Sequence, residues 1–201
     1  DRDGKSKGGS VKKNWLKTSI FISLSVSVMI FSSVVAFPRT VARGQVTDIK
    51  VEIKEVEPFV YCSLSRTGSF SDIEAAVGEL LQQMQIQNVF PMGSMIGIYH
   101  GDPTLSDPEK IQWEVGFPIN EQALVQAPLQ KKQWTFTNVA VSLHEGPYEK
   151  TGETILKMRQ WLEDNGYVQN GPILERYLDA DPSSTSPDRL KTEIWLPCKK
   201  G

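Results

Sequence analysis

The sequence predicts an α+β fold in which one strand-helix-strand-strand unit occurs twice. Shifting the chain by 78 residues aligns "RTGSFSDIEAAVGELLQQMQ" with "HEGPYEKTGETILKMRQWLE", and one inserted residue extends the match at a shift of 79. Each unit also surrounds one stretch of helical periodicity with strand-like patterns. Two such units predict a mainly antiparallel sheet, related by a pseudo-twofold axis, with the helices on one face.

The first unit covers about residues 58–120 and begins with the strand-like "FVYCSLS". Ser71-x-x-Glu74 has the form of a capping box, which predicts that a helix starts there. Apolar residues then recur at helical spacing, namely Ile73, Ala76, Val77, Leu80 and Met84. "SMIGIYH" and "IQWEVGFPI" have turn-forming residues beside them and predict the two strands that complete the unit.

The second unit covers about residues 136–198 and follows the same order. "NVAVSLH" predicts its first strand, and a helix is expected near Thr151–Asn165 with Asn165-Gly166 as its C-cap. "ILERYL" and "TEIWLPC" predict the remaining strands. "DIKVEIKEVE" adds an opening strand, so the folded domain is expected to span residues 49–201.

The segment before this domain predicts a membrane anchor or a signal peptide. Residues 18–38 carry no charge and include "SIFISLSVSVMIFSSVVAF", an apolar run of 19 residues, while residues 1–17 contain five lysines. Such a run crosses a hydrocarbon core of about 30 Å, and the lysines predict a cytoplasmic tail and an extracytoplasmic domain. The alternative is a signal peptide cleaved near Val34-Val35-Ala36, which would release a secreted or periplasmic domain. Residues 39–48 are expected to form a linker.

The charge distribution separates the two parts of the chain. Residues 1–43 have eight Lys/Arg and two Asp, whereas the remainder has 14 Lys/Arg and 22 Asp/Glu. An acidic folded part argues against nucleic acid as a partner, because binding to the phosphate backbone needs a basic face. It is compatible with cationic ligands.

The cysteines and histidines predict no metal or cofactor. Cys62 and Cys198 are far apart in sequence and are expected to be buried free thiols, with a single disulfide as the alternative in an exported protein. His100 and His144 lie at strand ends without acidic or cysteine neighbours at the spacing of metal ligands. A glycine-rich phosphate loop and a nucleophile elbow are also absent from the sequence.

Three stretches of the chain resemble a known family. "VEIKEVEPF", "EGPYEKTGETILKMRQWLEDNGY" and "GPILERYLDADPSSTSPDRLKTEIWLP" are similar to the GyrI-like small-molecule-binding domain, which also forms the effector-binding half of some AraC- and MerR-type multidrug regulators. The resemblance covers roughly Lys50 to Cys198. In the first unit "RTGSF" replaces the usual Gly-Pro-Tyr form.

The resemblance implies a ligand cavity between the two units, rich in aromatic groups, with a glutamate at its floor that attracts lipophilic cations. The glutamate of the family's Glu-x-Tyr strand falls on Glu175, and the repeat places Gly97 at the matching position of the first unit, which suggests space beside the carboxylate. Glu114 and Glu193 recur in both units, so structural or exposed strand roles suit them at least as well as ligand contact. The candidate aromatic ligand contacts are Tyr177, Tyr148, Trp113, Tyr61, Trp195 and Phe70.

Three functions follow from the resemblance. The first is binding of a small hydrophobic or cationic ligand by a membrane-tethered or exported module. The regulators of this family carry a helix-turn-helix ahead of the domain, whereas an apolar segment and a short spacer precede it here, so a direct role as a transcription factor is not expected. The second is a GyrI-like hydrolase of reactive cyclopropane-type compounds, in which Glu175 would be the general base that activates water. Tyr177 or Tyr148 would orient the reactants or donate a proton. The third is a protein-interaction module. The sequence leaves the oligomeric state open.

Overall fold

The computed structural model describes residues 49–101, 110–179 and 181–201. The predicted tail, apolar segment and linker (1–48) therefore lie outside the described residues. Among the residues that are described, every helix is too short or too polar to cross a membrane.

The elements follow the predicted order in both halves. The first half contains β1 (Glu52–Glu55), β2 (Phe59–Thr67), α1 (Ile73–Ile86), β3 (Met95–His100) and β4 (Gln112–Pro118). The second half contains β5 (Gln130–Trp134), β6 (Asn138–Glu145), α2 (Thr151–Asp164), β7 (Tyr167–Gln169), β8 (Ile173–Tyr177) and β9 (Lys191–Lys200).

One antiparallel sheet joins the two halves. Its strand order is β1-β6-β9-β8-β3-β4-β2-β5, and β7 pairs with β9. Counted outwards from the β8/β3 pair at the centre, each half therefore presents the second, third and first strands of its repeat in the same order. This α+β arrangement is the predicted fold class.

The outermost strands tie the halves together. β1 leads into β2 but pairs with β6, whereas β5 leads into β6 but pairs with β2. Each half thus supplies an edge strand to the other half, and neither edge pairing is local in sequence.

The sheet has two differently covered faces. On the helix face, α1 and α2 pack on residues such as Leu64, Val115 and Ile194 to form the main core. On the opposite face, which we call the aromatic face, Phe59, Tyr61, Trp134 and Trp195 belong to a second core that contains no helix residue. Alternation along each strand decides which side chains reach which face.

The ends of the helices differ in how well they were predicted. α2 ends as expected, with Asn165 as C-cap and Gly166 at a φ of +70°. The predicted capping box at Ser71 is wrong, because a short 3₁₀ turn precedes α1 and the N-cap is Asp72, which makes no side-chain capping bond. The turn takes up the residues that the capping pattern assigned to the helix.

Two strands were not predicted. β5 reads "QKKQW", with four polar residues in a row, and β7 has only three residues. Neither has the apolar alternation that marks a half-buried strand. Cys62 and Cys198 are buried free cysteines, as predicted.

Candidate functional site

Glu175 lies at the centre of the helix face. It occupies the middle of β8, where its cross-strand neighbours are Gly97 on β3 and Ile194 on β9. Its side chain shares the face of Ile173 and Tyr177, as strand alternation predicts. The residue is only 3% exposed, although it carries a carboxyl group.

Two tyrosine hydroxyls hold this carboxyl. The Tyr177 hydroxyl donates to Oε2 of Glu175 at 2.8 Å, and the Tyr99 hydroxyl donates to the same oxygen at 3.1 Å. The two hydroxyl oxygens are themselves 2.9 Å apart. If both hydroxyls donate to the carboxyl, neither phenolic proton is left for the contact between the two hydroxyls.

The environment of this carboxyl disfavours its charged form. Burial raises the pKa of Glu175 above its ordinary value, while hydrogen bonds from Thr151, Tyr177 and Tyr99 partly oppose that rise. The Thr151 hydroxyl is shared, since it also donates to the Tyr148 carbonyl oxygen at 2.9 Å. In the described part of the chain no cationic side chain contributes to this shift. Among the described residues, Glu175 is thus a buried carboxyl without a positive partner.

The tyrosines remain donors in this environment. Burial first, and then the nearby Glu175 charge, raise the pKa values of Tyr99 and Tyr177 well above the ordinary phenol value. Both phenols therefore keep their protons at any physiological pH. Tyr99 was not among the predicted contacts, although the repeat had already aligned it with Tyr177.

Gly97 makes room for the hydroxyls rather than for an open space. A Cβ at this position would lie 2.9 Å from the Tyr177 hydroxyl and 3.1 Å from the Tyr99 hydroxyl. The expected space beside the carboxylate is real, but in this structure the phenol groups occupy it. The expectation of an open gap opposite Glu175 is corrected on this point.

Aromatic rings surround the tyrosines symmetrically. The Tyr148 ring packs edge-on against Tyr177 at 5.0 Å between centroids, and Phe70 packs edge-on against Tyr99 at 5.1 Å. Trp113 joins the same group through Phe70, at 5.7 Å. Of the predicted contacts, Tyr177, Tyr148, Trp113 and Phe70 are therefore brought to the helix face with Glu175.

Tyr61 and Trp195 lie elsewhere. Both belong to the second core on the aromatic face, where Phe59 lies 6.1 Å from Tyr61 and 6.4 Å from Trp195. The sheet separates them from Glu175, so the six predicted residues do not share one cavity. Period-two alternation already places Trp195 on the face opposite Ile194, but sequence alone does not say which face the helices cover.

The aromatic face carries a second buried carboxyl, Glu114, with a different environment. Oε2 of Glu114 accepts from Ser63 Oγ at 2.5 Å and pairs with Lys132 Nζ at 2.8 Å, while Oε1 lies 2.5 Å from His100 Nε2. Burial opposes ionisation, but the hydrogen bonds from His100, Lys132 and Ser63 and the Lys132 charge outweigh it, which lowers the pKa of Glu114 to about 2. Glu114, Lys132 and His100 line a cleft of about 540 Å³.

These contacts favour a structural role for Glu114, one of the roles that its recurrence in both units suggested. Its counterpart Glu193 likewise accepts from Arg176 at 2.7 Å and from the Trp195 indole at 2.7 Å. His100 has an acidic neighbour after all, through strand pairing rather than sequence spacing. Across the described ranges, His, Cys, Asp and Glu side chains form no group of three that could hold a metal ion.

The chain is similar to several known proteins. A candidate transcriptional regulator of the SPbeta prophage in Bacillus subtilis (strain 168), YosT, is 30% identical over 94 residues, which cover 46% of this chain and 63% of YosT. The C-terminal domain of EcmrR superposes with a TM-score of 0.69 at 18% identity, covering 76% of this chain and 99% of that domain. The chain spans 58% of the EcmrR chain whose complex with DNA has been solved.

Two further solved structures have the same fold. A hydrolase from Listeria innocua superposes with a TM-score of 0.58 at 15% identity, over 76% of this chain and 93% of that one. SAV2435, solved with bound tetraphenylphosphonium, superposes with a TM-score of 0.51 at 13% identity, over 75% and 94%. The sequence profile of the GyrI-like small molecule binding domain matches residues 49–199, and the chain therefore belongs to the GyrI-like family.

Proposed function

We propose that the protein binds lipophilic cations at Glu175. The observation that carries this proposal is a buried carboxyl whose partners in the described chain are hydroxyl groups and not cations. An ionised carboxylate in such a place is costly unless a positive charge accompanies it. A bound cation would supply that charge.

The second buried carboxyl supports this interpretation by contrast. Glu114 is equally buried, but Lys132 neutralises it within the protein. The fold thus places a lysine beside the buried Glu114. Among the described residues, no lysine pairs with Glu175. A ligand with its own positive charge would complete the second pair.

Binding at Glu175 would exchange a proton for the cation. In the ligand-free protein, burial raises the pKa of the carboxyl and so favours its protonated form. The arriving cation favours the carboxylate, so the proton leaves. Affinity should therefore increase as pH rises through the raised pKa of Glu175.

The aromatic rings would select flat or lipophilic cations. Tyr148 and Phe70 are half-buried and cover the hydroxyl network from the helix side. A cation over such a ring gains about 0.5–2 kcal/mol, more when water is excluded. Because Glu175 is 3% exposed, the covering groups must move when a ligand binds. SAV2435 is a relative whose structure contains such a cation, tetraphenylphosphonium.

Substitution of Glu175 by Gln tests the proposal. The change keeps the shape and removes the negative charge, so we expect the affinity for tetraphenylphosphonium to fall at least about tenfold, measured by calorimetry. Glu193→Gln is the matched control, because it removes a strand carboxylate on the other face. Equal affinity of the wild type and Glu175→Gln for this cation would reject Glu175 as the anchor.

A hydrolase would use the same carboxyl as a general base. A raised pKa makes Glu175 a stronger base once it is ionised, and Tyr177 is within hydrogen-bond reach to orient water or donate a proton. The Listeria innocua relative is a hydrolase. Turnover of a cyclopropane-type electrophile by the wild type, lost in Glu175→Gln, would favour this second function over simple binding.

We further propose that residues 18–38 tether the domain to a membrane, with the domain outside the cytoplasm. The support is the uncharged apolar run and the preceding lysines. Carbonate extraction of membranes from cells that make the chain tests this. Full release into the soluble fraction, with the N-terminus intact, would reject the anchor, whereas release after cleavage would favour a signal peptide.

A further inference from the structure

We infer that an exposed apolar corner of the domain, formed by Ile86, Phe90 and Met92, inserts into the surface of the bilayer to which residues 18–38 tether the chain. This inference rests on the proposed tether and is independent of ligand binding at Glu175. Its basis is a difference between the two repeats, together with the place where the chain enters the domain.

The apolar corner exposes three large apolar side chains within seven residues. Ile86, the last residue of α1, is 63% exposed, while Phe90 and Met92, in the connection to β3, are 73% and 66% exposed. Positions 80 to 95 carry no charged residue. Single exposed apolar side chains are ordinary, but a group of them without charges marks a surface that binds another apolar surface.

The second repeat does not share this feature. At the shift of 78 residues, the positions of the apolar corner are taken by Asp164, Val168 and Asn170. Residues 158–173, which match 80–95, also include the charged Arg159 and Glu163 besides Asp164. The repeated fold therefore does not require apolar side chains at these positions, and the reason for them lies outside the fold.

Hydrogen bonds hold the apolar corner in its outward position. The backbone N–H of the buried Val89 donates to the Met84 carbonyl oxygen at 2.9 Å, and that of Met92 donates to the Pro118 carbonyl oxygen at 2.8 Å. The chain is thus fixed to the domain on both sides of Phe90. The exposed side chains cannot turn into the core unless these bonds break.

The tether joins the domain at the end of the sheet that carries the apolar corner. Glu52, the first residue of β1, pairs with Val141, so the chain before it comes from the Glu145 end of β6. Strand pairing through β9 and β8 continues that end across the sheet to Met95, the first residue of β3. The apolar corner directly precedes β3, so it lies at the same end of the strands as the entry of the chain.

The predicted linker is short compared with the domain. Residues 39–48 span at most about 35 Å when fully extended, and a domain of this size has a radius of gyration of about 15 Å. The tether therefore keeps the domain close to the bilayer. It also raises the effective concentration of the membrane surface, so that a contact too weak to form from solution is maintained.

A bilayer suits the apolar corner better than another protein does. Even at the roughly 250 Å² that a large aromatic side chain buries, three side chains remain below the about 800 Å² per partner of a standard protein interface. A tethered domain needs only a small contact, and burial of apolar surface among acyl chains stabilises it. The absence of charge avoids the cost of placing an ion in hydrocarbon.

Spin labels at equivalent positions test this contact. The full chain, reconstituted in phosphatidylcholine vesicles, carries the label at Phe90→Cys or at the matched control Val168→Cys, a position that is 51% exposed. Cys62 and Cys198 are buried, so the new thiol is the one that reacts. Paramagnetic resonance measures collisions with oxygen, which concentrates in hydrocarbon, and with a nickel chelate, which stays in water. We expect the label at position 90 to gain oxygen collisions and lose nickel collisions relative to the label at position 168.

Removal of neighbouring side chains tests whether the apolar corner itself makes the contact. A label at Ile86→Cys should also lie in hydrocarbon, and the further changes Phe90→Ser and Met92→Ser should return it to water. The replaced side chains are exposed, so the midpoint of thermal unfolding should stay unchanged. A label that stays in hydrocarbon after both changes would reject the corner as the contact.

The results separate this inference from the proposals on which it rests or does not rest. Nickel collisions at position 90 equal to those at position 168, in a chain that carbonate does not release from the vesicles, would overturn the docking and leave the tether. Protection of position 90 from both reagents would indicate a protein partner, such as a second copy, and would overturn the docking as well. Full release by carbonate would reject the tether and this inference together, and none of these results concerns Glu175.

Discussion

Glu175 and Glu114 are two carboxyl groups buried to the same extent on opposite faces of one sheet, and their electrostatic environments are opposite. Each is 3% exposed. Burial raises the pKa of Glu175, whereas the partners of Glu114 lower its pKa to about 2. The difference lies in the partners, since Glu114 has Lys132 and His100 while Glu175 has only hydroxyl donors. Burial alone therefore does not identify a functional carboxyl.

The partner sets also come from different parts of the chain. Lys132 reaches Glu114 from β5, an edge strand donated by the other half of the molecule. The hydroxyls at Glu175 come from the two central strands and are related by the repeat. The Glu114–Lys132 ion pair therefore links the two halves near the edge of the sheet. Glu175, which has no cationic partner among the described residues, lies at the centre of the sheet.

The largest expected effect is the loss of stability in Glu114→Gln. This change leaves Lys132 beside a neutral group in a buried site, and we expect the free energy of unfolding to fall by about 3 kcal/mol at pH 7. Urea denaturation measures it. Glu79→Gln, which breaks the half-exposed pair with Arg66, should cost less than about 1 kcal/mol. Equal losses in the two variants would contradict the structural role of Glu114.

The stabilisation by Glu114 also depends on pH. Its folded pKa of about 2 lies below the ordinary value of 4.5, so the contribution is present above about pH 4.5 and is lost as pH falls towards 2. The stability difference between the wild type and Glu114→Gln should shrink over that window. Denaturation curves at several pH values check the sign.

A smaller effect is expected for Gly97→Ala. The added Cβ would collide with the hydroxyls of Tyr177 and Tyr99 and push them from Glu175, at a cost of about 1–3 kcal/mol. Gly78→Ala on α1 is the matched control, because its Cβ meets nothing within 4 Å and should stabilise the helix by about 0.5–1 kcal/mol. A neutral Gly97→Ala would show that the hydroxyl network is not tightly packed.

The smallest effect on stability is expected for Glu175→Gln, within about 1 kcal/mol at low pH, where both side chains are neutral and equal in shape. The pH dependence has the sign opposite to that of Glu114. A raised folded pKa gives stability that is present below the unfolded value and is lost as pH rises through the folded value. The ligand-free wild type should therefore lose stability relative to Glu175→Gln as pH rises, which thermal unfolding at stepped pH would measure.

Tyr99→Phe sharpens the same point at the level of binding. The variant loses one hydrogen bond that lowers the pKa of Glu175, so that pKa should rise further. The affinity for tetraphenylphosphonium should then reach its half-maximal value at a higher pH than in the wild type. An unchanged pH profile would remove Tyr99 from the network that controls ionisation.

Much of the site could be predicted from the sequence because its signals are local. The alternation along "ILERY" places Glu175 with Ile173 and Tyr177, and the repeat pairs Tyr177 with Tyr99. The partners of Glu114 could not be predicted, since Lys132 lies on a strand without an apolar pattern.

By itself, the sequence determined the order of the elements, the repeated unit and the side of β8 on which Glu175 lies. These depend on periodicity within one strand or helix. The tertiary structure decided which side of the sheet the helices cover, and hence that Trp113 lies with Glu175 while Tyr61 and Trp195 lie behind it. It also decided which buried carboxyl is paired with a lysine, because the exchange of edge strands between the halves joins residues that no local pattern relates.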